Sequence, residues 1–200
     1  MSSREKILSA VLQNQPAIVP LPDIGLFERK AVGTVQKFGA ALSSIGGNIN
    51  YINDLAEMST LITAISGING RVINLVKDLY INNAEVIIDD LTPHDLQNVE
   101  LAILSAHFGV AENGAVWITE ENMGHRVLPF ICQHLVIVIH QKDIVPAMHE
   151  AYELLLSRKP YDYGCFIAGP SKTADIEQSL VIGAHGPRSM TVFVLLTANN

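Results

Sequence analysis

The sequence predicts one α/β domain of three layers, a mostly parallel sheet covered by helices on both faces. Three observations carry this prediction. Segments of helical period and segments of strand period alternate from end to end, the pattern of βαβ units. The runs 99–105, 115–119 and 135–140 have strand length and are rich in Val, Ile and Leu, which suits strands buried on both sides. Finally, 200 residues of which 48% are apolar supply one sizeable core, with no composition shift that would divide it.

The elements follow in order. Residues 3–13 read as a helix, with Ser2 and Glu5 at capping-box spacing. A Pro-containing connector, 16–22, completes an N-terminal part (1–26) that leads into the α/β core, 27–200. The periodicity predicts a helix over 27–43, weakened by Gly33 and Gly39. A short strand at 48–52 comes next, then a helix over 54–65 capped by Asn53 or Asp54, and strands at 71–76 and 85–89. After the three central strands, 144–157 reads as an amphipathic helix with Pro146 in its first turn, where a missing N–H does no harm. A strand at 164–168, a helix over 174–183 and a last buried strand at 191–196 close the chain.

Composition excludes several function classes. Only 16% of residues are charged, against roughly 25% in typical soluble domains. Either another chain covers some apolar surface, as in a homo-oligomer or a complex subunit, or the sheet is buried on both faces. The formal charge of −7 argues against nucleic acid, since phosphate binding needs a basic face. No apolar run reaches the roughly 18 residues of a membrane span. The N-terminus lacks the apolar core of a signal peptide, so a cytoplasmic location is expected. Cys132 and Cys165 are isolated in apolar strand-like runs and form no C-x-x-C pair. An iron–sulfur cluster normally takes four thiolates, so this chain alone is expected to hold none.

Two stretches concentrate the chemistry. The first is Gly169-Pro170-Ser171-Lys172-Thr173-Ala174-Asp175-Ile176-Glu177, followed by His185-Gly186-Pro187. Gly169 and Pro170 turn the chain after a strand, and Ser171 or Thr173 can cap the helix expected next. A helix start beside Lys172, at the sheet's carboxyl edge, favours a small anion. Asp175 and Glu177 partly satisfy that helix start themselves. A monocarboxylate, or the edge of a larger cofactor, is therefore easier to hold than a doubly charged phosphate. Glu177 falls within the apolar arc of the expected helix. It either folds back onto the N–H groups of the turn or faces a ligand pocket. His185, on a turn restricted by Gly186 and Pro187, either serves as an acid or base near neutrality or is a hydrogen-bonded loop residue. Arg188 either assists binding or extends into solvent. Lys172 without a ligand would be a solvated side chain.

The order and spacing of this stretch, with Gly183-Ala184-His185-Gly186-Pro187 after it, resembles the signature of the LUD domain family, of the lactate utilization protein C type. Upstream, Ala111-Glu112-Asn113-Gly114-Ala115 and the stretch 128–139 are similar to the family more loosely. The resemblance implies a NagB/RpiA/CoA-transferase-like fold and a part in oxidising L-lactate to pyruvate, together with iron–sulfur subunits. It implies no particular catalytic residue and no particular cofactor for the isolated domain.

The second stretch is Glu112-Asn113-Gly114 between two strands. A glutamate on a tight turn at a strand end can act as nucleophile or base, with Asn113 and nearby N–H groups stabilising an oxyanion. It resembles the Ser-Glu-Asn-Gly element of family I CoA-transferases, whose glutamate forms a thioester, which would imply a CoA-ester or sugar-acid enzyme. Asn-Gly is also the commonest hairpin turn chemistry, and Glu112 can simply stand exposed beside it. The family more usually shows Glu-Thr-Gly-Thr here, so Asn113 and Ala115 replace two hydroxyl-bearing residues. That loss admits a third reading, a non-catalytic scaffold or regulatory subunit. The remaining histidines are scattered without metal-ligand spacing, and no dinucleotide, Walker or G-x-S-x-G motif is present.

Overall fold

The computed structural model describes residues 2–20, 22, 33–64, 70–86, 91–174 and 180–196. Helix α1 (Ser3–Gln13) opens with the expected capping box: Ser2 Oγ accepts the Glu5 N–H at 3.3 Å, and Glu5 Oε2 accepts the Ser2 N–H at 2.6 Å. Helix α2 (Thr34–Ser44) starts after Gly33, whose φ of +66° is left-handed. The 27–32 part of the helix expected there lies outside the described residues. Gly33 therefore bounds α2, because a left-handed residue cannot continue a right-handed helix. Gly39 does sit inside α2, and the space of its missing side chain is taken by Tyr51 and Ile49 of the neighbouring strand.

Strand β1 (Asn48–Ile52) matches its expected bounds, and α3 (Leu55–Ala64) starts one residue late. Asp54 is the cap: its Oδ1 accepts the Glu57 N–H at 2.8 Å, while Glu57 Oε2 accepts the Asn53 N–H at 2.9 Å. Strand β2 (Arg71–Asn74) stops two residues short of expectation. The buried Asn74 amide accounts for this, since its Oδ1 takes the Val76 N–H at 3.0 Å and its Nδ2 donates to the Leu79 carbonyl at 2.8 Å. Of the strand expected over 85–89, Glu85 bridges Ile73 in parallel, and 87–89 lie outside the described residues.

Strands β3 (Val99–Ser105) and β5 (Ala115–Thr119) match expectation, with the short β4 (Phe108–Val110) between them. Single turns α4 (Glu120–Met123) and α5 (Leu128–Ile131) lead to β6 (His134–His140). The helix expected over 144–157 begins only at Met148. Ile144–Val145 form strand β7, and Met148–Ser157 form α6. Pro146 stands before the helix rather than in its first turn, because proline pushes the residue before it into extended backbone. Strands β8 (Gly164–Ile167), β9 (Lys172–Ala174), β10 (Leu180–Ile182) and β11 (Ser189–Leu195) follow.

The helix expected over 174–183 is absent from its described residues. Strands β9 and β10 pair antiparallel instead, with Thr173 opposite Val181 and Lys172 opposite Ile182. The Gly183 N–H donates to the Ser171 carbonyl at 3.1 Å and closes the base of this hairpin. Apolar spacing over so short a stretch fits either period, and β-branched Thr173, Val181 and Ile182 suit the strand.

A five-stranded parallel sheet, in the order β1-β11-β6-β3-β2, forms the centre. On one face Leu101, Ile103, Val136, Val138 and Phe193 pack with Met58 and Ile62 of α3. On the other face Leu104, Ile137 and Val194 meet Phe38 and Leu42 of α2, together with Val116 and Ile118. The last two belong to a second sheet, β7-β4-β5-β8. Its outer face carries Phe108, Val110 and Trp117 against Ala151 of α6. The three-layer reading thus holds for the central sheet, and the second layer is part helix and part sheet. No helix among the described residues is long and apolar enough to cross a membrane.

Candidate functional site

Both motif stretches converge on the C-terminal half of α2. The helix ends at Ile45, then turns through left-handed Gly46 (φ +83°), whose N–H donates to the Ser43 carbonyl at 3.0 Å. Gly169 is also left-handed (φ +73°), and a Cβ there would lie 2.9 Å from the Ile45 carbonyl oxygen. Gly114 (φ +71°) approaches one turn earlier; its Cβ would lie 2.6 Å from the Leu42 nitrogen. Leu42 and Ile45 are three residues apart and share a face of the helix. Two turns far apart in sequence therefore rest side by side on one helix, and each requires glycine for both φ and space.

Lys172 extends the same contact. The residue is exposed, and its Nζ donates to the Ile45 carbonyl. The sequence placed this lysine at the start of a helix. The structure places it at the end of another, where the last carbonyls lack intrahelical partners and a cation is favourable. The anion-favouring helix N-terminus expected at Ser171–Thr173 does not form, because those residues lead into β9.

Ser171 is enclosed by the 183–188 turn. Its N–H donates to the Pro187 carbonyl at 2.9 Å and its carbonyl accepts from Gly183. Gly186 lies close enough that a Cβ would come within 3.2 Å of Ser171 Oγ. His185 and Arg188 are exposed on this turn, Thr173 is half-buried, and the Arg188 N–H anchors to the Gln133 carbonyl at 2.8 Å. The structure thus brings Gly169, Ser171, Lys172, Gly186 and the His185 turn into one neighbourhood. Asp175 and Glu177 lie outside the described residues.

The Glu112 turn divides in two. Asn113 Oδ1 accepts the Ala115 N–H at 3.0 Å, and the Gly114 N–H donates to the Val110 carbonyl at 2.9 Å, so Asn-Gly performs turn chemistry. Glu112 reaches α6, where Oε2 accepts the Met148 N–H at 3.0 Å, a favourable place for a carboxylate. It also lines a cavity of about 290 Å³ with Thr34, Lys37, Ala40 and Pro146. Of the two cysteines, Cys132 is buried and its thiol is pushed up to about 12 by that burial; burial also raises Cys165. Neither is a ready thiolate at neutral pH.

Sequence reasoning missed Leu42, Ile45 and Gly46 as partners of the motifs. Gly46-Gly47 after an apolar-periodic segment is a helix-stop signal and locates the end of α2. The contact across the chain with Gly169 and Lys172 has no local signal.

The LUD domain family model matches residues 75–195, which contain both stretches. The lactate utilization protein C of Anoxybacillus flavithermus is 29% identical over 119 residues, which cover 60% of this chain and 53% of that protein. The lactate utilization protein C of a Geobacillus species is 31% identical over 104 residues, 50% of this chain and 43% of that protein. The chain thus spans about half the length of the curated relatives it matches. Among solved structures, a DUF162 family protein from Deinococcus radiodurans superposes with a TM-score of 0.59 at 17% identity, covering 84% of this chain and 99% of that one. At that identity the likeness concerns the fold.

Proposed function

From the premise that this chain belongs to the LUD domain family, we propose that it works in lactate utilization, as the cluster-free subunit of a system that oxidises L-lactate to pyruvate. The observation that carries this reading is the overlap of two facts. The family match contains both motif stretches, and these same stretches are the ones seated on α2. Oxidation of lactate releases two electrons and two protons. Two isolated cysteines do not make a cluster, so the electron pair and the hydrogen of the broken Cα–H bond pass to iron–sulfur partner subunits or to a cofactor they hold, and the hydroxyl gives up the other proton.

In this reading the small carboxylate binds beside the 183–188 turn. Ser171 and Thr173 donate hydrogen bonds to it, Arg188 supplies positive charge, and His185 takes the hydroxyl proton. Lys172 holds the Gly169–Thr173 loop on α2 by its bond to the Ile45 carbonyl, and so positions the donors. The test is reconstitution with iron–sulfur lactate-utilization subunits, following L-lactate-dependent reduction of a dye. Turnover should require this chain. Full turnover in its absence would sink the proposal.

A second reading, a CoA-ester or sugar-acid enzyme acting through Glu112, draws support from the cavity that Glu112 shares with Thr34 and Lys37. Against it stands the Met148 N–H held by Glu112 Oε2, which suits a capping carboxylate better than a nucleophile. Trapping a Glu112 thioester with hydroxylamine or borohydride would favour this alternative. A scaffold or regulatory subunit, the third reading, would bind the iron–sulfur partners yet leave their turnover unchanged.

A further inference from the structure

The two edges of the central sheet are finished differently. At β2 the edge is covered by Glu85, whose N–H donates to the Val72 carbonyl at 2.8 Å and whose carbonyl accepts the Asn74 N–H at 2.9 Å. At β1 no described residue pairs with the outer side. The strand reads Asn48-Ile49-Asn50-Tyr51-Ile52, without a charge or a proline, and its register with β11 runs without a bulge. Charges, prolines and bulges are the usual means of keeping an open edge from pairing.

The ladder fixes how much of this edge is open. The Ile52 carbonyl accepts the Leu196 N–H at 2.8 Å, so the backbone groups of Ile52 face β11. Those groups alternate along the strand. Asn48 and Asn50 therefore also face β11, and Ile49 and Tyr51 turn their N–H and C=O outward. The next outward N–H groups on either side are engaged. Gly47 donates to the Leu42 carbonyl at 3.0 Å, and Asn53 donates to Glu57 Oε2 at 2.9 Å. What remains open is symmetric about Asn50. Exposed apolar side chains flank it on both faces: Tyr51, 42% exposed, beside Gly39 of α2, and Leu61, 38% exposed, one turn on from Glu57 of α3.

An edge of this form fits an antiparallel copy of itself. With a two-fold axis at Asn50, Ile49 of each copy stands opposite Tyr51 of the other, and the pair exchanges both backbone hydrogen bonds. An aromatic residue against a β-branched one is a favourable cross-strand pair. Asn50 meets Asn50, and each amide offers a donor and an acceptor. The same axis brings the acidic end of one strand, with Asp54 and Glu57, beside Gly46 of the other copy. A Cβ at Gly46 would lie 3.7 Å from Lys172 Nζ, so opposite charges meet at the rim. An axis at Ile49 or at Tyr51 would instead call on the engaged N–H of Gly47 or Asn53. We propose that β1 is the contact edge of a homodimer, in which two copies of this chain join their central sheets antiparallel about Asn50. The proposal does not rest on the lactate-utilization reading.

Sedimentation velocity across the micromolar range should show the parent chain associating to a dimer. Asn50→Lys sets like charges opposite each other at the axis. Tyr51→Pro removes an outward N–H and leaves the β11 ladder intact. Both should sediment as monomers where the parent is dimeric, while Leu156→Lys, at an exposed apolar residue of α6, should match the parent. Melting curves for each variant establish that the comparison is between folded proteins. Cross-linking then reads the register, in a Cys165→Ser background so that the half-buried thiol takes no part. Asn50→Cys should form an intermolecular disulfide on mild oxidation, because opposed residues of this kind have Cα atoms about 4.5 Å apart. Asn48→Cys should not, since its counterpart lies roughly 13 Å along the strand. A parent that stays monomeric throughout would overturn the proposal. So would a dimer that Asn50→Lys and Tyr51→Pro leave intact, or cross-linking no faster at residue 50 than at residue 48.

Discussion

Gly114 and Gly169 show how single residues assemble this site. Each has left-handed backbone, and each would drive a Cβ into the backbone of α2. Alanine at either position should cost about 1–3 kcal/mol. Gly114 should be the more sensitive, since its Cβ would lie 2.6 and 2.7 Å from two atoms of Leu42. Gly33→Ala is the control: that glycine is also left-handed, but its nearest neighbour is the Gln36 side chain at 3.9 Å, so only about 1 kcal/mol of conformational cost applies. Urea unfolding of the three variants measures the order, and equal losses in all three would refute the backbone contact with α2. His107 gives a second prediction at this scale. Because burial lowers its pKa in the folded chain, the unfolded chain binds that proton first, at a pH near 6.5. Stability should therefore fall as the pH drops below about 6.5, and this part of the fall should be missing in His107→Asn. A parent and variant with the same pH dependence between about 7.5 and 5.5, above the carboxylate range, would contradict it.

At the scale of elements, legibility followed length and local signals. Strands β3 and β5 were readable to the residue because their apolar runs have strand length and are rich in Val, Ile and Leu or Trp. Strand β4 was not, because Phe108-Gly109-Val110 is too short to carry any period. The 174–183 segment was misread because its apolar spacing fits a helix as well as a strand, and the choice is made by the closure of Ser171 onto Gly183 and Pro187. That hairpin is directly testable. Thr173 and Val181 are opposite partners, and paired strand residues come within disulfide reach. In a helix, eight residues would separate their Cα atoms by about 12 Å. The double variant Thr173→Cys with Val181→Cys should form an intramolecular disulfide on mild oxidation. Two free thiols at these positions after oxidation would restore the helical reading.

For the whole molecule, the low charge content has a structural source: both faces of the central sheet are buried. The motif residues were legible in the sequence as a set, but their common support was not, since the contact from α2 to Gly169 and Lys172 spans more than half the chain. The proposed division of labour between subunits predicts that the purified chain, prepared anaerobically, carries no stoichiometric iron and no visible cluster absorbance, because only Cys132 and Cys165 are available. A bound cluster on the chain alone would remove the need for partner subunits. The central claim is that L-lactate oxidation uses the turn around Ser171 and His185. The most direct measurement is the L-lactate-dependent rate of the reconstituted system with His185→Asn in place of the parent chain. Loss of a positioned acid or base should lower that rate by about 10²-fold or more, with the melting temperature unchanged because His185 is exposed. A parental rate with His185→Asn would contradict the account.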